Sequence, residues 1–225
     1  MLGIIFTGGE GPKAQIIKRI IESAKKDAVI IAADSGFDAA LDAGIKPDWV
    51  IGDMDSVKNQ LDLASLPPQC VIRHERDKDF TDTELAFLLA KEKGADEIWI
   101  IGGGGGRIDH LFGIRSLFER ENFPRRWITS SEDIYCIEGE NRQWTTESGA
   151  IVSVFPAGEG SWEAESIGLK WALNSVSWNR GFFGLSNVAV DEVFSIKAKK
   201  GRFMVILINE LRDMEDKDIE AALIR

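Results

Sequence analysis

The first 130 residues alternate between short apolar runs and longer stretches with helical periodicity. In five stretches apolar residues recur every three to four positions, which predicts helices over residues 12–26, 36–43, 57–65, 82–93 and 108–121. Six apolar runs predict strands over residues 2–6, 28–33, 48–52, 69–73, 97–101 and 125–129. Since a helical crossover joins parallel strands, this alternation predicts a parallel sheet with helices on both faces.

After about residue 135 the helical periodicity ends and short alternating runs take over. They cover residues 135–139, 141–146, 150–155, 161–167, 169–173, 191–198 and 202–208. Gly, Pro, Asn and Ser separate these runs, which is typical of antiparallel strands in a β-sandwich. We therefore predict an α/β fold class: an N-terminal Rossmann-like parallel sheet with flanking helices over 1–135, a C-terminal antiparallel β-sandwich domain over 136–212, and a charged tail over 213–225.

The charge balance argues against several classes of partner. The chain has 37 acidic and 27 basic residues and a net charge of −10. Nucleic acids and anionic membranes attract an excess of Lys and Arg, so neither is expected to bind. Two distant cysteines argue against a disulfide framework, and the sequence shows no signal peptide and no membrane-spanning run. The predicted location is a reducing cytoplasm.

Five groups of polar or glycine residues each follow directly on a predicted strand. They are TGGEG (7–11), ADSGFD (33–38), GDMDS (52–56), ERDKDFTD (75–82) and GGGGGRIDH (102–110). The carboxyl ends of parallel strands share one edge of the sheet, and ligands of open α/β sheets bind there. We therefore expect these five loops to form one ligand site.

The same loops carry seven aspartates: Asp34, Asp53, Asp55, Asp77, Asp79, Asp82 and Asp109. Single carboxylates of this kind often cap helices, and TDTE (81–84) reads as a capping box with Thr81 as N-cap and Glu84 at the third helical position. Seven of them at one edge would repel one another without a cation. Carboxylate oxygens suit Mg²⁺ that also carries nucleotide phosphates, so Asp53 and Asp55 are predicted to bracket such an ion.

Two further features bear on ligand binding. The glycine run ends in Arg107, whose guanidinium can bind phosphate oxygens or, alternatively, form an ion pair with a nearby acid. The glycine run is not followed by the GK[ST] of a Walker loop. Trp171 lies in GLKWAL (168–173), where its alternation with Leu169 and Leu173 also fits an ordinary core position.

Taken together, these motifs resemble the thiamine pyrophosphokinase family, and the likeness covers nearly the whole chain. The family pattern consists of an ADGGA-like turn, GDFDS, D-x-D-x-TD, G-x-x-GGR-x-DH and a late G-x-KW…SN stretch. In this chain the motifs read ADSGF, GDMDS, DKDFTD, GGGGGRIDH, and GLKW followed by LSNVAV, in the same order. Ser35 and Met54 replace a usual glycine and phenylalanine, and Lys78 stands where the family often has glutamine.

The resemblance implies a homodimer with active sites between subunits and transfer of the diphosphoryl group of ATP to the hydroxyl of thiamine, with release of AMP. It implies that Asp53, Asp55 and Asp82 hold Mg²⁺ and organise the phosphates, with Asp109 as a fourth catalytic carboxylate. The implied nucleotide-binding residues are Asp34, Ser35, Gly36, Lys78, Thr81, Gly105, Gly106 and Arg107.

On the thiamine side the resemblance implies that Trp171 lies against the rings and that Ser186 and Asn187 contact the pyrimidine end. Thiamine is a cation, which an aromatic face attracts, so Trp171 is expected on an open surface or sheet edge. Either Asp82 or Asp109 is expected to accept the hydroxyl proton.

Three other functions compete with this interpretation. A Mg²⁺-dependent phosphohydrolase also uses paired aspartates after a strand, although GDMDS lies on the third strand and lacks a following Gly-Thr. A diphosphokinase for another heterocyclic alcohol, such as a pterin, would keep the same nucleotide site. A non-catalytic thiamine- or nucleotide-binding module would keep Trp171 and Arg107 without turnover.

Overall fold

The structure of the chain is a computed structural model that describes residues 1–24, 27–77 and 79–208. The described residues divide into two compact units. The first contains residues 1–115 and 127–131, and the second contains residues 116–126 and 132–208. Among the described helices, none combines the length and the apolar character needed to cross a membrane. The predicted tail over 213–225 lies outside the described residues.

A mostly parallel sheet lies in the first unit, with strands in the order β6-β5-β1-β2-β3-β4. The strands are β1 (Leu2–Phe6), β2 (Ala28–Ala33), β3 (Trp49–Gly52), β4 (Val71–Arg73), β5 (Glu97–Ile101) and β6 (Arg126–Ile128). Strand β1 pairs in parallel with β2 and β5, and the β2–β3 and β3–β4 pairs are parallel too. The predicted parallel sheet is confirmed, and three of its strands have the predicted bounds.

Five helices accompany this sheet: α1 (Ala14–Ser23), α2 (Gly36–Asp42), α3 (Gln60–Ala64), α4 (Asp82–Glu92) and α5 (Ile108–Leu117). Strand β1 is buried along its whole length, and α1 packs Ile16, Ile17 and Ile20 into the same core. The start of α4 is the predicted capping box, in which Glu84 N donates to Thr81 Oγ1 and Thr81 N donates to Glu84 Oε2. The capping box fixes where the loop after β4 ends and α4 begins.

The second unit contains only antiparallel strand pairs among its described residues. Its strands are β7 (Glu132–Glu138), β8 (Asn141–Thr145), β9 (Ile151–Ala157), β10 (Glu163–Ile167), β11 (Gly184–Val188), β12 (Val193–Lys200) and β13 (Arg202–Ile208). Strands β11, β9, β13 and β7 pair in that order, and β10, β12 and β8 form a separate sheet. One core takes side chains from both sets, including the stacked rings of Trp144 and Phe194, whose centroids lie 5.2 Å apart.

The predicted strand over 169–173 is not formed. Leu169 makes an isolated bridge to Ala189, and a turn of 3-10 helix follows at Leu173–Ser175. The alternation of Leu169, Trp171 and Leu173 therefore does not reflect strand pairing. The side-chain amide of Asn187 takes the place of a pairing strand, because it bonds both the N–H and the C=O of Trp171.

Candidate active site

A cleft of about 590 Å³ opens at the carboxyl ends of the strands of the first unit. Residues from all five predicted loops line it, which is what their position after the strands led us to expect. The lining includes Thr7, Asp34, Ser35, Asp53, Arg76, Asp79, Thr81, Asp82, Gly105, Gly106, Arg107 and Asp109. Lys78 lies outside the described residues.

Three carboxylates of the cleft region form a compact cluster. Asp34, Asp53 and Asp55 each place an oxygen within 4.8 Å of the other two. The turn that carries the last two is fixed locally, because Asp55 N donates to Asp53 Oδ1 at 3.1 Å and Ser56 Oγ donates to Asp55 Oδ1 at 2.8 Å. Asp34 and Met54 have φ angles of 47° and 64°, which are uncommon outside glycine and often mark functional turns.

The environment of Asp34 favours a bound cation. Burial raises the pKa of its carboxyl above the usual value, hydrogen bonds from Ser35 and Ser56 act in the opposite direction, and the neighbouring Asp82 and Asp53 raise it further. Its Oδ1 atom is buried without a hydrogen-bond partner among the described residues. Buried carboxylate oxygens need a donor or a cation, so this set of hard oxygen ligands fits a divalent metal ion.

Asp82 lies beside Asp34 because Gly52 has no side chain. A Cβ atom at Gly52 would lie 2.9 Å from Asp82 Oδ1 and 3.3 Å from Asp34 Cβ. The φ of 145° at Gly52 also favours glycine. The structure thus groups Asp34 with the predicted metal ligands Asp53 and Asp55, and places Asp82 at the edge of this group.

Replacement of Asp34 by Asn is expected to stabilise the fold at neutral pH. The folded-state pKa of Asp34 is raised, so its ionised form lowers stability above that pKa, and the penalty disappears as the pH falls below the unfolded value of 3.8. Asn keeps an oxygen for the bonds from Ser35 and Ser56 and tolerates a positive φ. Denaturant unfolding at pH 7 and pH 4 measures this: the variant should be more stable at pH 7 and show a smaller difference at pH 4. A less stable variant at pH 7 would contradict the account.

Most of the glycine run is used to build the cleft. Gly103 N donates to Gly8 O and Gly104 N donates to Glu10 O, both at 2.9 Å, so these amides pair the loop with the segment after β1. A Cβ at Gly102 would lie 2.4 Å from Thr7 O, and a Cβ at Gly103 would lie 2.3 Å from Ile114 Cδ1, so neither position has room for a side chain. Gly105 and Gly106 are exposed in the cleft, and they are the two glycines predicted to approach the phosphates.

Arg107 forms the ion pair that was the alternative to phosphate binding. Its Nε donates to Asp109 Oδ1 at 3.1 Å, and its Nη2 donates to Asp109 Oδ2. Hydrogen bonding from Arg107 lowers the pKa of the Asp109 carboxyl, and Asp109 raises the pKa of Arg107. Both side chains are exposed, so phosphate oxygens can reach this guanidinium from solvent.

Two predicted residues have positions that their motifs did not reveal. Gly36 is buried at the start of α2, against the end of β1, and does not line the cleft. Asp77 is exposed and also does not line it. Arg76, which none of the motifs indicated, lines the cleft and places Nη1 3.8 Å from Asp55 Oδ2.

Two other lining or supporting residues were also missed. Thr7 is buried in the cleft wall with its Oγ1 2.6 Å from Thr83 Oγ1, a bond that joins the end of β1 to α4. Asp38 is buried in α2 and bonds to the loop after β3. Both lie in the loops that were expected to form the site, but no spacing rule distinguishes them from ordinary polar loop residues.

In the second unit Trp171 is 54% exposed, which confirms the expected open position. Asn187 is buried and holds the Trp171 backbone: its Oδ1 accepts from Trp171 N at 3.1 Å and its Nδ2 donates to Trp171 O at 2.6 Å. Ser186 is exposed, has a φ of 54°, and donates its N–H to Ser153 Oγ at 3.0 Å. Asn187 therefore presents Trp171 to solvent, while contacts of all three with thiamine remain predictions.

Comparison with known proteins places these features in a family. The profile of the catalytic domain of thiamin pyrophosphokinase matches residues 21–126. The thiamine pyrophosphokinase of Bacillus subtilis is 32% identical over 171 residues, which cover 73% of this chain and 79% of the relative. The crystal structure of a thiamine pyrophosphokinase from Bacillus subtilis is similar with a TM-score of 0.74 and 26% identity, over 93% of this chain and 99% of that one.

A thiamin pyrophosphokinase from Geobacillus thermodenitrificans is also similar in structure, with a TM-score of 0.71 and 25% identity over 93% of this chain and 98% of that one. These likenesses extend beyond the nucleotide motifs to nearly the full length of the described fold. The chain belongs to the thiamine pyrophosphokinase family, whose members are ATP-dependent diphosphotransferases.

Proposed function

We propose that this chain transfers the diphosphoryl group of ATP to the hydroxyl of thiamine, giving thiamine diphosphate and AMP. The observation that carries the proposal is the convergence of Asp34, Asp53 and Asp55 at the cleft of a chain that belongs to this family. In the reaction the thiamine oxygen attacks the β-phosphorus, the bond from that phosphorus to the bridging oxygen of the α-phosphate breaks, and AMP leaves.

The residues of the cleft align and neutralise the phosphates, which is most of what phosphoryl transfer requires. Asp53 and Asp55, with Asp34 beside them, would hold Mg²⁺, and Asp82 lies at the edge of this group. When bound, Mg²⁺ supplies positive charge that offsets the phosphate oxygens. The phosphate chain is proposed to bind to Gly105, Gly106 and Arg107. The rest of the nucleotide is proposed to contact Ser35, Thr81 and the carboxylate of Asp34, which line the same cleft.

Asp82 is the better of the two predicted candidates for the base that accepts the hydroxyl proton. The bidentate bond from Arg107 lowers the pKa of Asp109, and a lower pKa makes a carboxylate a weaker proton acceptor. Asp82 lies beside Asp34 and the metal cluster. We therefore assign Asp82 to the proton and Asp109 to the orientation of Arg107.

Replacement of Trp171 by Ala is expected to raise the KM for thiamine about tenfold, because an aromatic face over a cation contributes about 0.5–2 kcal/mol. Stability should change little, since the side chain is 54% exposed and its backbone is held by Asn187. Trp171→Phe keeps an aromatic face and should have a smaller effect. Steady-state kinetics with thiamine varied at saturating ATP measures this, and an unchanged KM for both variants would exclude Trp171 from the thiamine site.

Further features belong to the same proposal. The shared core of the second unit supports its description as a β-sandwich, and the β1–β2–β3 order with helices between them supports a Rossmann-like first unit.

Exposed apolar side chains such as Phe182, Phe183 and Leu185 support a homodimer. Two free cysteines, one of them buried, fit a reducing cytoplasm.

The activity is tested by incubating the chain with ATP, Mg²⁺ and thiamine and separating the products by chromatography. AMP and thiamine diphosphate should form one for one, with neither formed when thiamine or the metal is left out. ADP with thiamine monophosphate would show a monophosphate kinase instead. Free phosphate without a second substrate would show a phosphohydrolase, and turnover of a pterin alcohol without turnover of thiamine would show another diphosphokinase.

A further inference from the structure

Asp38 is the least exposed acidic side chain in the described part of the chain, with 9% exposure. It lies in the first turn of α2, four residues after Asp34. Burial of a carboxylate is unfavourable unless its oxygens accept hydrogen bonds. The hydrogen-bond partners of Asp38 therefore indicate the structural role of this carboxylate.

Among the described residues, Asp38 accepts three hydrogen bonds, and all of them come from the loop that follows β3. Asp38 Oδ2 accepts from Lys58 N at 2.9 Å. Asp38 Oδ1 accepts from Asn59 N at 2.9 Å and from Asn59 Nδ2 at 2.8 Å. A carboxylate on the helix after β2 thus holds the far end of the loop after β3.

These two segments also supply the carboxylate cluster of the cleft. Asp34 directly precedes α2, and Asp53 and Asp55 lie in the loop that ends at the residues bound by Asp38. At the start of α3, Gln60 Nε2 donates to two carbonyls of this loop, Met54 O at 3.2 Å and Val57 O at 2.8 Å. Since the loop is internally tied, holding its end to α2 also restricts where Asp53 and Asp55 lie relative to Asp34.

We propose that Asp38 is a positioning residue for the metal cluster: by binding Lys58 and Asn59 it sets the distance between Asp34 and the Asp53–Asp55 pair. This rests on the proposed function, because it assumes that these three carboxylates hold a divalent cation. Both oxygens of Asp38 are occupied by the loop, so it acts through the ligands and not as one of them. Residues that orient metal ligands in this way change metal affinity about 10- to 100-fold when replaced.

Asp38→Asn tests the role with almost no change of volume. An amide has one oxygen, so it can accept from Asn59 or from Lys58 but not from both. Its NH₂ group would then face a backbone N–H, and two donors facing each other in a buried site are unfavourable. The loop is expected to move away from α2. Asn59→Ala is milder, because it removes the 2.8 Å bond and leaves both backbone bonds.

The matched control is Asp48→Asn. Asp48 Oδ2 accepts from Ile30 N at 2.8 Å, so this carboxylate joins β2 and β3 at the end of the strands opposite the cleft. The substitution removes the same charge and weakens a similar bond without touching the loops of the cluster. Circular dichroism and thermal unfolding of every variant report whether the fold is retained.

Binding of Mn²⁺ to the full chain, followed by electron paramagnetic resonance, measures the metal site without turnover. We expect affinity to fall about 10- to 100-fold in Asp38→Asn and a few-fold in Asn59→Ala, and to stay unchanged in Asp48→Asn. The Mg²⁺ concentration for half-maximal rate should rise in the same order, with more of the rate recovered at high Mg²⁺ than in a variant of a metal ligand.

The outcomes separate this inference from the proposed function. If the unaltered chain binds Mn²⁺ and a folded Asp38→Asn variant binds it equally well, Asp38 has no positioning role. If Asp38→Asn does not fold, unchanged Mn²⁺ affinity in Asn59→Ala overturns the role. If the unaltered chain binds no Mn²⁺ even with ATP present, the proposed metal site is wrong, and the role assigned to Asp38 fails with it.

Discussion

Asp53→Asn is expected to lower turnover by at least about 10²-fold and to leave the fold intact, since loss of a preorganised charge at a reacting group has effects of this size. The substitution is conservative in shape. The amide oxygen of Asn can still accept the hydrogen bond that Asp55 N donates to Asp53 Oδ1 at 3.1 Å, so the turn is retained. What is lost is one negative charge of the cluster formed with Asp34 and Asp55.

Stability separates this prediction from general damage to the protein. Removal of one of three clustered carboxylates relieves repulsion, so the free energy of unfolding without metal should stay the same or rise. Asp62→Asn, on the exposed surface of α3, is a matched control that removes a charge away from the cluster and should keep full turnover. Near-normal AMP formation by Asp53→Asn would contradict the metal assignment.

Gly36→Ala is expected to destabilise the first unit by about 1–3 kcal/mol, because the added methyl group meets backbone atoms that cannot move aside. Its Cβ would lie 2.2 Å from Phe6 O and 2.8 Å from Thr7 N, at the point where α2 begins against the end of β1. Phe6 is fully buried in the sheet. The helix would have to shift and carry Asp34 and Asp38 with it, so activity should fall as well.

Gly113→Ala is the control for this substitution. Gly113 lies inside α5, and apart from the neighbouring backbone of its own helix no described atom lies within 4 Å of a Cβ built there. Alanine in a helix interior is favoured over glycine by about 1 kcal/mol, so this variant should be slightly more stable. Denaturant unfolding of both variants measures the difference. Gly36→Ala with the stability of the unaltered chain would show that the close approach of α2 to the end of β1 does not require glycine at this position.

Much of the first unit was predictable because its strands are buried on both faces. Such strands appear as continuous apolar runs, and the runs at 2–6, 28–33 and 97–101 have the bounds of β1, β2 and β5. The start of α4 was predictable for a local reason, since Thr81 and Glu84 cap the helix across three residues. Periodicity and capping are properties of neighbouring residues, which a sequence displays directly.

The errors arise where a distant side chain binds the backbone. A helix was predicted from residue 57, but α3 begins at Gln60, because the N-cap Asn59 has a non-helical backbone (φ −83°, ψ 61°) and is held there by Asp38, some 20 residues away. A strand was predicted over 169–173, but the amide of Asn187 bonds the Trp171 backbone instead. Long-range bonds of this kind leave no period in the sequence.

The candidate site also combines features that the sequence predicts with features that depend on long-range contacts. That the loops after the strands would meet was predictable from topology, and the cleft contains residues of all five. The sequence did not show which carboxylates would lie closest to one another. Asp34 lies with Asp53 and Asp55 because Gly52, which has no side chain, leaves room at that point for Asp34 and Asp82. Likewise, nothing in the spacing of Arg107 and Asp109 decided between an ion pair and a phosphate contact.

The most direct test of the carboxylate cluster is calorimetric titration of the chain with a non-hydrolysable ATP analogue, with Mg²⁺ and then with excess chelator. Binding should require the metal, and Asp53→Asn should weaken it at least tenfold while the variant unfolds at the same temperature as the unaltered chain or at a higher one. Binding of equal strength in the presence of chelator would show that the nucleotide does not depend on a metal held by Asp34, Asp53 and Asp55.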